Sequence, residues 1–445
     1  MRNECGRNWP KLHPTPNGRA VDEISRRGFL KAASVVGSGL VLGFFVPGGS
    51  KMAQAADKEK KITPNAFLRI APDDTITVVV NRLEFGQGVA TSLPMLIAEE
   101  LGADWAQMRA ELAPGGAIFN DPAFGIQITG ASATMKNSYT QYREIGAAAR
   151  AMLIACAARS WQVPESDCHT EHGRVIGPSG LSASFGSLAD AAMRLPAPDS
   201  VVLKNPAHFT LIGQPTPRMD SRAKSNGTQS FGIDFKLPNT KVALVSRAPV
   251  FGATVASFDA TRALAIPGVL AVFKVATDRG GSGVAVVAEG FWPAKQARDA
   301  LDVKWNTGNV DKVDSGRQLI DYKALAKAPG MVAKDADVSA LAEAAKKITA
   351  EYEFPYLAHA PMEPLNCVVE LTDTSVNVWA GTQLQTFDRP AIAEASGLKP
   401  EQISLNTMFA GGSFGRRAAP TAYSSDREHC FHTMVNSGLV WAAGH

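Results

Sequence analysis

The sequence predicts a multidomain chain of mixed α/β and α+β architecture, and three observations lead there. Its 445 residues are 45% hydrophobic, ample for large buried cores, and the length points to two or three domains. Strand-like and helix-like periodicities alternate within 75–101 and again within 376–409. Between these stretches the composition shifts at Gly227, after a Pro- and Ser-rich stretch over 196–226, and short β-rich runs follow.

The elements follow in chain order. Ser25-Arg26-Arg27-Gly28-Phe29-Leu30-Lys31 precedes a modestly apolar run from Ala32 to Val46, and Ala53-Gln54-Ala55 fits a small-residue cleavage site. Residues 1–56 therefore read as a twin-arginine export signal, and a periplasmic location is expected. The run is shorter than the roughly 20 apolar residues that span a bilayer. Thr75 to Val80 alternates as a strand, and Thr91 to Leu101 reads as a helix ended by Gly102. Glu84-Phe85-Gly86-Gln87-Gly88 fills the turn between them. A long helix is predicted from Ser132 to Trp161, after the small-residue segment Thr129-Gly130-Ala131-Ser132-Ala133-Thr134. From Phe231 to Trp305, strands at Val242–Val245, Val269–Val275 and Gly283–Val287 accompany a helix at Trp292–Leu301, the pattern of a smaller α+β unit. No element is read over 310–334.

The last unit is a strand at Val376–Trp379, a turn at Gly381-Thr382-Gln383, and a helix with Asp388 as N-cap and Pro390 in its first turn. Gly397 closes that helix. A second strand, Ile403 to Phe409, leads into Gly411-Gly412-Ser413-Phe414-Gly415-Arg416-Arg417. Strand, helix, strand favours a parallel pair, which brings Gln383 and the Gly411 loop to one edge of a sheet, where open α/β sheets bind ligands.

Composition excludes some functions. A formal net charge of +3, from 45 Lys plus Arg against 42 Asp plus Glu, gives no field for nucleic acid. The five cysteines form no C-x-x-C, so no iron-sulfur cluster is expected in this chain. His429-Cys430-Phe431-His432 is too loosely spaced for a metal site, and no metal-ligating set is assigned.

The chemistry-bearing residues sit in turns. Glycines after a strand let backbone N–H groups face an anion, yet Gly411 to Gly415 lacks both the ATP-type loop ending and the dinucleotide fingerprint. Gln87 and Gln383 are glycine-flanked amides able both to donate and to accept. Taken singly, each of these is equally an ordinary turn, as is the proline-bounded His359-Ala360-Pro361-Met362-Glu363-Pro364.

Together, the His359–Pro364 motif, Trp379-Ala380-Gly381-Thr382-Gln383 and Phe409-Ala410-Gly411-Gly412-Ser413-Phe414-Gly415-Arg416-Arg417 resemble the molybdopterin-binding subunit of the xanthine dehydrogenase and aldehyde oxidase family. The resemblance covers about Ile62 to Ala418. It implies that Gln383 contacts a molybdenum oxo ligand, that Phe414 and Gly415 match the loop beside the metal, and that Gly411, Gly412, Ser413 and Arg416 bind the cofactor with them. It also implies that Gly86, Gln87 and Gly88 hold the pterin, and that Ser132 and Thr134 belong to a cofactor segment. The Gly-Gln-Gly loop precedes the Phe-Gly loop, an order that resembles the isoquinoline 1-oxidoreductase β-subunit type.

The domain expectation is then a permuted molybdopterin-binding segment at 62–226, an α/β hammerhead at 227–308, the first part of the main molybdopterin-binding domain at 309–418, and a divergent tail at 419–445. That tail reads as a shifted reading frame or a shortened gene. The implied cofactor is molybdenum on molybdopterin in its cytosine dinucleotide form. The implied partners are a small iron-sulfur subunit, a small-molecule substrate and a periplasmic electron acceptor. The implied reaction hydroxylates an aldehyde or N-heterocycle with water as oxygen source, and pocket-lining residues that would name the substrate are absent. No residue matches the family's C-terminal glutamate base, so this chain alone is expected to be inactive unless a separately encoded half completes it. The strands at Val376–Trp379 and Ile403–Phe409 are expected to expose apolar faces. A periplasmic ligand-binding protein without redox chemistry is the alternative, distinguished by molybdenum content.

Overall fold

A computed structural model describes residues 40–42 and 67–418, apart from 251, 278–279, 309–313, 333–335 and 358. The rest of the export-signal expectation and the 419–445 tail, with its His-Cys-Phe-His run, lie outside the described residues. The elements are β1 (Leu40–Leu42), β2 (Leu68–Ile70), β3 (Ile76–Val80), α1 (Val89–Leu101), β4 (Met108–Leu112), α2 (Thr134–Trp161), β5 (His169–Glu171), β6 (Arg174–Ile176), β7 (Ser182–Ser184), α3 (Phe185–Ala192) and α4 (Ser221–Asn226). They continue with β8 (Val242–Ser246), β9 (Thr254–Asp259), α5 (Thr261–Leu264), β10 (Val269–Ala276), β11 (Ser282–Ala288), α6 (Phe291–Ala300), β12 (Asp302–Asn306), α7 (Ser315–Leu325), α8 (Ala340–Glu343), β13 (Cys367–Leu371), β14 (Val376–Ala380), α9 (Gln385–Ser396) and β15 (Ile403–Thr407).

Three apolar cores organise the described residues. The first lies under the sheet β1-β2-β3-β4, where Leu68, Ile76, Val78 and Val80 meet Leu93 and Ile97 of α1 and Tyr142 and Leu153 of α2. β3 and β4 are parallel with α1 as their crossover, so the turn after β3 opens at a strand C-terminal edge. Gly102 ends α1 in the left-handed conformation at φ 70°. Pro94 lies within α1 and brings no N–H, so the helix forgoes one internal hydrogen bond there.

The second core, small and built on Ala263, Val286 and Ala297, belongs to the sheet β10-β11-β8 with α5 and α6. The third lies between β14, β15 and α9, from Val376, Val378, Ile403, Leu405, Ile392 and Ala395. β14 and β15 run parallel, pairing Val376 with Ile403 and Ala380 with Thr407, so the turn after β14 and the loop after β15 leave at one edge.

Three expectations are corrected. α9 begins at Gln385 rather than after Asp388, because Asp388 accepts the Thr382 hydroxyl from within the first turn instead of capping it. α7 occupies part of the stretch over 310–334 where the sequence shows no element; none of its apolar residues is fully buried, so burial periodicity gives no signal. The apolar faces of β14 and β15 are not bare, since α9 covers one side and Phe235 stacks on Trp379 at 4.8 Å on the other. The longest run of exposed large apolar residues lies instead between α7 and Met362.

Candidate functional site: a four-loop junction at two sheet edges

Gln383 sits in the turn after β14 and is 4% exposed. Its Nε2 donates to the Thr129 carbonyl at 2.7 Å, and its Oε1 accepts from the Ser413 hydroxyl. Its main chain is held as well: the Thr129 N–H donates to the Gln383 carbonyl at 2.8 Å, and the Gln383 N–H donates to the Arg417 carbonyl at 2.9 Å. One side chain thus joins the segment before α2, the turn after β14 and the loop after β15.

The fourth loop enters through Glu84. Its carbonyl accepts from the Ala410 N–H at 3.0 Å, and the neighbouring Leu83 N–H donates to the Thr129 hydroxyl at 2.8 Å. The Glu84 carboxylate, fully buried, accepts from the N–H groups of Gly86, Gly88 and Ala90 at 2.8, 3.3 and 3.0 Å. It thereby satisfies donors at the start of α1, where Gly88, at φ 96°, is the residue before the helix. Lys224 at 3.0 Å and Arg218 at 3.4 Å neutralise it. Both cations also pair with Asp220; burial pushes that carboxyl up, but hydrogen bonds from Arg218 and Lys224 and their charges hold it below the usual range.

Glu363 plays the corresponding part on the other side. Its carboxylate accepts from Gly411 N–H at 2.7 Å, Ile233 N–H at 2.9 Å, Asn366 at 2.9 Å and the buried Arg417 guanidinium at 2.9 Å. Arg417 also donates to the Gly412 and Glu363 carbonyls, which fixes the loop from both ends. A Cβ on Gly411 would lie 2.6 Å from the Glu363 Cβ, so only glycine lets this carboxylate approach.

Around this buried junction lies an exposed rim: Gly86, Gln87, Ala131, Ser132, Phe414 and Gly415. Ala131, Ser132 and Phe414 have φ of 54°, 52° and 56°. Non-glycine residues held there cost on the order of 1 kcal/mol each or more, and such strain gathers at ligand-binding turns. Ser132 and Thr134 lie at the start of α2, a 28-residue helix whose N-terminus no side chain caps. Its N–H groups and dipole suit a phosphate, and the glycine-rich rim admits a flat heterocycle. The residues present therefore fit a phosphate-bearing pterin.

The structure brings together Gln383, Ser413 and the Thr129–Thr134 segment by direct bonds, and the Gly86–Gly88 turn through Glu84. It gives the two glutamines duties that the sequence does not show. Gln87 folds back, donating to Leu83 at 2.7 Å and accepting from Phe85 at 2.8 Å, so it braces its own turn. Gln383 is the bolt of the junction. Arg416 is half-buried and its N–H donates to the Ser413 carbonyl at 2.9 Å. His359 is exposed, and of its motif the carboxylate of Glu363 is the buried member.

Sequence reasoning does not single out Thr129, Glu84, Glu363 or Arg417 as site residues. Glu84 carries a signal, a carboxylate just before a glycine-rich helix start. Glu363 is visible only as a member of the His359–Pro364 motif, with no role assigned, because its partners lie 48 and 54 residues away at Gly411 and Arg417. Among the described residues no cluster of His, Cys, Asp and Glu is built to hold a metal ion by side chains.

Two models of a molybdopterin cofactor-binding domain match this chain, one over residues 18–237 and the other over 325–425. The chain is 30% identical to the isoquinoline 1-oxidoreductase β subunit of Brevundimonas diminuta, over 90% of this chain and 57% of the relative. It is 29% identical to a protein of Gluconacetobacter polyoxogenes named a membrane-bound pyrroloquinoline-quinone aldehyde dehydrogenase, over 90% of this chain and 53% of that one. A nicotinate dehydrogenase chain of Pseudomonas putida is 28% identical over 81% of this chain and 30% of its own length. The chain thus spans about half the length of the first two relatives. The aldehyde oxidoreductase of Desulfovibrio gigas superposes on 49% of this chain and 29% of its own, with 21% identity and a TM-score of 0.36.

Proposed function

We propose a function from one premise: the chain belongs to the xanthine dehydrogenase and aldehyde oxidase family, as a molybdopterin-binding large subunit. The protein it forms part of is an oxidoreductase that hydroxylates an aldehyde or an isoquinoline-like N-heterocycle, taking oxygen from water and passing electrons to a small iron-sulfur subunit. The cofactor, when bound, supplies the two-electron oxidation and the oxygen transfer. The observation that carries this reading is the Thr129–Gln383–Ser413 junction, which ties three glycine-bearing segments to one point.

What the chain itself contributes is a cradle. N–H groups at the start of α2, with Ser132 and Thr134, would hold the phosphate of the cofactor, whose cytosine dinucleotide form is proposed from the resemblance to the isoquinoline 1-oxidoreductase type alone. Gly86 to Gly88 and Gly411 to Gly415 would line the pterin, and Phe414, 69% exposed, would cover the substrate side. Glu84 and Glu363 do not serve as the base. Each is buried, with its oxygens already taken by several N–H donors and a cation, so neither is placed to reach a substrate proton, and no described residue is assigned as the base. Residues 227–308, with their separate small core, would be the hammerhead. Twin-arginine export of the folded, loaded protein to the periplasm completes the proposal.

Purified chain from a host that makes the cofactor is expected to carry molybdenum and pterin near one equivalent by elemental analysis and fluorescence. Gln383→Ala leaves the Thr129 carbonyl and Ser413 hydroxyl buried without their partner, at about 1–3 kcal/mol, and is expected to lose most of the molybdenum. A folded chain carrying neither metal nor pterin would refute the reading.

A further inference from the structure

The strand β1 falls inside the run that the sequence reads as the apolar part of an export signal, yet it is part of the folded body. Leu40 pairs with Ile70, Val41 with Arg69 and Leu42 with Leu68, antiparallel along the outer edge of β2. On its other side β2 pairs with β3. α3 packs across both β1 and β2, and its Phe185, Leu188 and Ala189 are buried in the first core. Leu68 and Ile70, the β2 residues opposite β1, are themselves buried there. Without β1, β2 would be an open edge directly beside that core, with unpaired N–H and C=O groups.

We propose that Leu40–Leu42 is a permanent edge strand of the fold, and that the residues of the export signal which contain it stay attached to the protein after export. This rests on the twin-arginine reading for the word export only; the strand itself rests on the pairing. The candidate cut at Ala53-Gln54-Ala55 lies between β1 and β2 in sequence, so cleavage there would leave β1 held by its pairing alone. Magnitudes decide whether that suffices. A net hydrogen bond contributes about 0.5–1.5 kcal/mol, and three residue pairs supply only a few, whereas holding a separate peptide costs roughly 4 kcal/mol or more in lost freedom. A tether instead presents the strand at an effective concentration on the order of millimolar. The strand therefore persists only while the chain between β1 and β2 is intact. The occupant of the β2 edge is this chain's own segment, joined by main-chain bonds in the manner of strand addition.

The full chain, with Arg26 and Arg27 unchanged, is recovered from the periplasm and weighed by intact-mass mass spectrometry, and amide exchange is followed at Leu68 to Ile70. The expected mass includes Leu40–Leu42. The β2 amides that face β1 are expected to exchange about tenfold or more slowly than in full-length Val41→Pro, which removes an N–H and stiffens the strand. If Val41→Pro does not accumulate, Val41→Gly weakens the strand while keeping the N–H and gives the same comparison. A mass beginning after Ala55, or equal exchange with and without the substitution, overturns the proposal. Protein that stays in the cytoplasm refutes the export reading instead, and exchange measured on that protein still decides the strand.

Discussion

At the scale of single residues, the junction depends on two buried carboxylates that answer to backbone N–H groups. Glu363 is the sharper case, because its removal strands Arg417, which is 1% exposed. Breaking one side of a buried ion pair costs about 3–5 kcal/mol, so Glu363→Ala is expected to destabilise the chain by that amount in urea unfolding and to free the Gly411 loop. Arg417→Met, of similar length, still leaves the Glu363 carboxylate three N–H donors and is expected to cost less. Equal losses for the two variants would show that Glu363 does not anchor Gly411 and Ile233 independently of Arg417.

Elements are joined by charge as much as by apolar contact. The stretch over 196–226 reads as a surface crossing, but α1 holds it through Glu99 and Glu100. Glu99 accepts from the N–H groups of Thr210, Leu211 and Ile212, and Glu100 from the Lys204 N–H and from Arg143 and Arg150. Burial pushes the Glu99 carboxyl up, but those three N–H bonds and the Lys204 charge outweigh it and hold it below its ordinary 4.5. A carboxylate with a depressed folded value contributes stability above its unfolded value and loses it as pH falls through the folded one. The 204–212 segment is therefore expected to be fully docked above about pH 5 and to loosen progressively below 4.5, read as faster amide exchange at Leu211 and Ile212. In Glu99→Gln that acid-driven change is expected to be lost; if it persists unchanged, Glu99 is not its source. At the other end of the same stretch, Glu84→Gln removes the charge facing Lys224 and Arg218 and is expected to loosen the Gly86–Gly88 turn with it.

For the whole molecule, three cores carry the fold, while the stretch from α7 to Met362 adds little to any of them. Ile320, Leu325, Met331, Ile348, Phe354 and Leu357 are all more than two-thirds exposed, an apolar surface of the kind that drives association. Light scattering is expected to show concentration-dependent oligomers, and Ile320→Lys with Leu325→Lys to reduce them; a strictly monomeric wild-type chain would count against this. The exposed face lies away from the place that sequence reasoning assigns it, because α9 and Phe235 already cover β14.

The elements are legible in the sequence where one residue enforces one local outcome. Gly102 and Gly397 end their helices in the left-handed conformation, and alternation in 376–380 gives a strand with one buried face, while 76–80 is a strand buried on both faces from Val78 on. The strand, helix, strand order makes β14 and β15 parallel and puts Gln383 beside the Gly411 loop. α7 is illegible because none of its apolar residues is fully buried. The duties of the site residues are illegible for a different reason: Gln383 meets Thr129 across 254 positions, and Glu84 meets Lys224 across 140. Local sequence determined the periodicities, the turns and the family. Only the tertiary structure decided which polar group satisfies which, because a buried donor or acceptor must find a partner wherever the fold delivers one, and separation along the chain does not specify it.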